Sequence, residues 1–112
     1  MAQQPSFRTE RVNELVKREL VMLLRKEVND PRLKEVIITD VITSRDLSSA
    51  KVFFSTAEDS QLEVAKLLKN ASGFFRTRLS NSLDLRHTPT LSFIYDTAPN
   101  TGANIEDLLR QL

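Results

Sequence analysis

Apolar positions along the chain change their spacing repeatedly, and each change marks a new element. From Thr9 to Val28, the residues Val12, Leu15, Val16, Leu20, Leu23 and Leu24 recur at the three-and-four spacing of a helix face. Val21, Met22 and Val28 widen that stripe. Asn29-Asp30-Pro31 ends the helix, because the residue before a proline is steered away from helical angles. Val36–Thr43 is then rich in β-branched residues, and Ser49–Ser55 alternates through Ala50, Val52 and Phe54. The short polar stretch 44–48 between them predicts an antiparallel hairpin.

A second helix begins at Ser60, where Ser60-Gln61-Leu62-Glu63 has the spacing of a capping box. Its expected inward positions are Leu62, Ala65, Leu68, Ala71, Phe75 and Leu79, with a drift of phase near Gly73. Helical character resumes after the glycine and fades over 81–84. Beyond Pro89, the residues Leu91, Phe93 and Tyr95 alternate with Ser92 and Ile94 as a strand. Ala103–Leu112 then sets Ile105, Leu108, Leu109 and Leu112 on one face of a short final helix. Residues 1–5 read as a flexible start and 6–112 as a single domain. The order predicts an α+β fold in which helices cover one face of a three-stranded sheet.

Composition narrows the class. At 112 residues, 40% hydrophobic and 28% charged, the chain suits one globular domain with a real core. It has no apolar run long enough to span a bilayer, and MAQQPSFRTER lacks the apolar stretch of a secretory signal. With no cysteine there are no disulfides or thiolate metal sites, so a cytoplasmic protein without a membrane partner is expected. The net charge of +1 hides an asymmetry. Between Ser60 and His87, the cations Lys66, Lys69, Arg76, Arg78 and Arg86 face only Glu63 and Asp84. A local excess of that kind favours an anionic partner.

Residues for catalysis are sparse. His87 is the only histidine, and its neighbours Asp84 and Thr88 sit in a helix-to-strand turn rather than a nucleophile relay. The pairs Glu58-Asp59 and Glu106-Asp107 lie in polar segments where solvation accounts for them. Two glycines cannot build a phosphate-binding loop. No catalytic residue, metal ligand or cofactor is assigned.

The stretch KNASGFFRTRLSN carries more. Gly73 stands inside a helical pattern, where glycine costs roughly 1 kcal/mol relative to alanine. At 100° per residue, Lys66, Lys69, Asn70, Gly73, Arg76, Thr77 and Ser80 share one polar sector. A bare position on that line leaves nothing between the helix and an approaching polymer. It also allows a break that turns backbone N–H groups outward, and both properties suit a phosphate chain. The competing reading, compatible with the first, is that Gly73 lets two helices pack over the sheet. Phe74 and Phe75 are assigned to the core rather than to base stacking.

One helix, two strands, two helices meeting at a short break and a strand is the order of a type II KH domain. Such domains hold single-stranded nucleic acid beside the break, through a Gly-x-x-Gly loop. Here Ala71-Ser72-Gly73 stands in its place. Together with Asn29-Asp30-Pro31-Arg32, DVITSRDLSSAKVFFS, NASGFFRTRL and LRHTPTLSFIYD, the chain from Ser6 onward closely resembles the ribosome-binding factor A family of bacterial small-subunit assembly factors.

That resemblance implies a non-catalytic protein that binds the immature small ribosomal subunit and its rRNA. It further implies assistance in maturing the 5′ region of that rRNA, importance in the cold, and a functional link to a ribosome-maturation GTPase. The residues expected to neutralise phosphates are Lys66, Lys69, Arg76 and Arg78, with Asn70, Ala71, Ser72 and Gly73 permitting close approach. Arg86 and His87 would add contacts at the adjoining turn, and Arg45 and Lys51 across the hairpin. Without Gly-x-x-Gly, shape and phosphate position are expected to matter more than splayed bases. Four such cations predict a slope of log affinity against log salt of roughly −3. Reversing the charge of Arg76 is expected to weaken binding with little change in thermal midpoint. A monomer is expected. The alternative from another class is an adapter that grips a ribosomal protein or assembly factor through Ile105 and Leu109.

Overall fold

The first apolar stripe folds as α1, Phe7–Lys26, in a computed structural model that describes residues 7–83 and 87–97. The expected flexible start, Arg86 and the final helix at 103–112 lie outside the described residues. Val12, Val16, Leu20, Leu23 and Leu24 are buried along α1, and Leu15 is half-buried. Asn29-Asp30-Pro31 does more than stop this helix. Asp30 accepts the Arg32 N–H at 2.9 Å and caps a single further turn, α2, Pro31–Lys34, with proline at its first position.

Strands β1, Ile37–Thr43, and β2, Ser49–Ser55, pair antiparallel. Strand β3, Thr90–Tyr95, lies parallel beside β2, giving the order β1-β2-β3. The register skips Thr39, which bulges between Ile38 and Asp40. The extra residue resets the alternation, so Ile38 and Val41 are both buried although three apart. The hairpin turn places Leu47 at φ 62, an uncommon angle for a branched residue, and holds it by burial and a 2.9 Å bond from its N–H to the Ser44 carbonyl. Helix α1 also covers the open edge of β1. Asn13 Oδ1 accepts the Thr43 N–H at 2.8 Å, and Lys17 Nζ, one turn on, donates to the Thr39 carbonyl at 3.3 Å.

The capping box at Ser60 does not form. A 3-10 turn, Glu58–Ser60, feeds directly into α3, Gln61–Asn70, so Ser60 already has near-helical angles and its hydroxyl caps nothing. Glu63 accepts from Arg32 Nη1 at 2.7 Å instead, tying α3 to α2. The expected inward Leu62 is 81% exposed, and Val64 takes the buried place. Val64 and Leu68, then Phe75 and Leu79 of α4, Ser72–Ser82, form one buried row. That row packs with α1 on the sheet face that carries Val41, Ala50, Val52, Phe54 and Leu91. Phe75 meets Phe93 at 5.8 Å between ring centroids, and Phe54 meets Tyr95 edge-on at 5.8 Å. The expected α-β-β-α-α-β order is thus observed, with α2 as an added turn. Among the described residues no helix is long and apolar enough to cross a membrane.

Candidate nucleic-acid interface

Helix α3 runs beside β3, the last strand of the sheet, and leaves a groove of about 680 Å³ between them. Ala65, Leu91 and Phe93 give it apolar walls, while Lys66, Lys69, Asn70 and Ser92 supply polar groups. Lys66 and Lys69 are exposed and engage no carboxylate among the described residues, so both ammonium groups are available to an anion. The β3 side of the groove was missing from the sequence reading. Its alternation was visible, but its parallel placement under α3 is a long-range fact that local spacing does not carry.

The helical run breaks at Ala71. Its N–H closes α3 on the Leu67 and Leu68 carbonyls, and its own carbonyl accepts the Phe75 N–H at 3.0 Å as α4 begins. No side chain caps that start. Ser72 is half-buried and Gly73 exposed. Gly73 has no positive φ, and a Cβ built there meets nothing within 4 Å. Among the described residues neither backbone geometry nor packing therefore demands a glycine, which leaves the packing explanation for it without support.

Beyond the break the polar sector divides. Arg76, Thr77, Ser80 and Asn81 border a separate hollow with Thr88. Arg76 donates from Nε to the Pro89 carbonyl and from Nη2 to the Thr88 carbonyl, each at 3.1 Å. Arg78 pairs with Glu27 at the end of α1 and sits 5.4 Å from the centre of the Phe74 ring. Phe74 is exposed, against the expectation of a core residue; it rests edge-on against buried Phe75 at 5.6 Å. His87 is exposed at the turn before β3.

Arg45 and Lys51 stand apart from the groove. Arg45 is exposed at the hairpin tip. Lys51 lies on the sheet face away from the helices, in register with Ser92, which lines the groove. In the same hairpin, hydrogen bonds from the Ser48 hydroxyl, the Ser44 hydroxyl and the Ser48 N–H hold the Asp46 carboxyl down at about 2. A bond from the Arg32 side chain likewise holds Asp30 below the ordinary carboxylate range. The described residues contain no cluster of histidine and carboxylate side chains suited to a metal ion.

Comparison with known proteins identifies the family. A family model described as Ribosome-binding factor A matches residues 8–109. The chain is 58% identical over 110 residues to the ribosome-binding factor A of Vesicomyosocius okutanii, covering 98% of this chain and 96% of that protein. The fold is similar to the crystal structure of ribosome-binding factor A from Thermus thermophilus, with a TM-score of 0.71 at 22% identity, covering 78% of this chain and 94% of that one. It is also similar to a homology model of the Thermus thermophilus factor fitted into the cryo-EM map of a 30S complex, with a TM-score of 0.63 at 24% identity over 76% and 91% of the two chains. The matched span takes in α1, the hairpin, the Ala71 break and β3, and the chain belongs to the ribosome-binding factor A family.

Proposed function

We propose that this chain is a non-catalytic ribosome-biogenesis factor that binds the immature small ribosomal subunit through its rRNA. The observation that carries the reading is a pair of exposed lysines, Lys66 and Lys69, without carboxylate partners among the described residues, on a groove lined as far as Asn70, three residues before the bare Gly73. A phosphate chain passing there gains two cations, and Asn70 adds hydrogen-bonding groups at the rim. No side chain caps the start of α4 beside them, a position that suits an anionic acceptor. Support also comes from the Thermus thermophilus homologue, whose homology model was fitted to a 30S complex.

In this reading Arg45, Arg86 and His87 lie at the margin of that centre, while Arg76 and Arg78, already bonded to Thr88, Pro89 and Glu27, shape the surface without counting among its phosphate contacts. The factor acts as a cytoplasmic monomer, helps the 5′ region of the rRNA mature, matters most in the cold, and is linked to a maturation GTPase. The test is retention of the purified chain on small-subunit precursors. Loss of binding in high salt and after nuclease treatment supports RNA recognition. Retention through both treatments overturns it in favour of the protein-adapter alternative.

A further inference from the structure

Among the described residues the helices bury one face of the sheet and leave the other open, and that open face sets large apolar side chains among Asp40, Lys51 and Ser92. Ile37 is 63% exposed, Ile42 50% and Ile94 36%, with half-buried Phe53 between them on the central strand. The register makes these residues neighbours. Asp40, Phe53 and Ile94 form one cross-strand row, and Ile42, Lys51 and Ser92 the next. Ile42, Phe53 and Ile94 thus form an apolar diagonal on the open face with one residue on each strand, and such a stripe calls for a cover.

We infer that this face is the docking site of the chain's own segment 103–112. That segment follows β3 closely, and spacing puts Ile105, Leu108, Leu109 and Leu112 on one helical face. Ten residues of helix reach ~15 Å, enough to lie across strands spaced ~4.8 Å apart. The connection 98–102 carries Pro99 and Gly102, residues suited to reversing direction, and can extend up to ~17 Å. Charge agrees as well. Glu106 borders the apolar stripe of the segment, and Lys51 stands between Ile42 and Ser92 on the sheet. Because the segment is tethered, its local concentration is in the millimolar range, above that of any second copy at micromolar concentration. Docking also places Lys51 beneath the segment, which removes it from the RNA contacts of the free chain.

The absence of cysteine makes the test direct. The full-length double variant Ile94→Cys with Leu109→Cys is oxidised beside a control, Leu62→Cys with Leu109→Cys, whose first cysteine lies on α3 in the helical layer. The inference expects an intramolecular disulfide forming at least ~10-fold faster in the first variant. Equal rates overturn it, and disulfide-linked dimers in the first variant do so in favour of a second copy as the cover. In the unmodified chain, amide exchange should show residues 105–112 protected. Ile42→Asp should abolish that protection while leaving 61–82 protected. Fast exchange at 105–112 in the parent chain overturns the inference independently.

Discussion

Arg76 of α4 reaches across to the residue that precedes β3, donating from Nε to the Pro89 carbonyl at 3.1 Å. Its Nη2 holds Thr88 in the same way. One guanidinium thereby fixes the turn from which β3 enters the sheet. Charged hydrogen bonds of this kind contribute about 1–2 kcal/mol where partly buried. Arg76→Ala should therefore lower the stability measured by urea unfolding by that amount, and Arg76→Lys should restore only part, since an ammonium cannot present the same fork. This replaces the expectation from sequence that the thermal midpoint stays put. An unchanged midpoint would return Arg76 to the RNA contacts.

Gly73 gives the opposite signature. With open space around a built Cβ and no positive φ, Gly73→Ala should stabilise the free protein by ~0.5–1 kcal/mol. The same methyl group stands where the polymer is proposed to rest, so affinity for small-subunit precursors should fall. Calorimetry and a binding titration on one preparation separate the two effects. A stabilised variant that binds as well as the parent shows that nothing approaches position 73.

Salt dependence should follow the available cations rather than all of them. Arg78 is already engaged by Glu27 and stacked on Phe74. Lys66 and Lys69 have no such partners among the described residues. The expected slope of log affinity against log salt is then roughly −2 rather than −3. Lys66→Ala and Lys69→Ala should each reduce its magnitude by ~0.7–0.9, whereas Arg78→Ala should change it little. Titrations at several salt concentrations measure all three.

The hairpin should weaken in acid through Asp46. Its carboxyl is held at about 2 in the folded chain by Ser48 and Ser44, below the ~3.9 of an unfolded aspartate. A depressed carboxylate contributes stability above the unfolded value, and that contribution is lost as pH falls from about 4 towards about 2. Asp46→Asn should lower stability at neutral pH and flatten the dependence in that window. Carbon-detected NMR of the Asp46 carboxyl gives the midpoint directly; a titration near 4 contradicts the hydrogen-bonded geometry.

What the sequence showed and what it hid divide along a physical line. The stripe of α1 and the alternation of β2 and β3 were legible because burial on one face imposes a period, and β2 fell at Ser49–Ser55 as read. The break at Ala71 was legible only through the neighbouring Gly73, which itself lies within α4 and uses no glycine-only angle. Leu62 and the Ser60 cap were misread because a local pattern cannot reveal that a 3-10 turn enters first and shifts the phase. The bulge at Thr39 likewise depends on what β2 presents opposite it. At the candidate site, charge and helical phase located Lys66, Lys69 and Gly73. They could not distinguish these from Arg76 and Arg78, whose partners lie 12 or more positions away in sequence.

The central claim is that rRNA lies along the groove from Lys66 to Gly73. Ultraviolet crosslinking of the full chain on small-subunit precursors, with the attached peptides identified by mass spectrometry, tests it most directly. The account predicts nucleotide adducts concentrated at 65–73 and at Ser92–Phe93, lost in the Lys66→Ala, Lys69→Ala double variant. Adducts confined to the α1 surface or the hairpin tip, and unaffected by those substitutions, would contradict it.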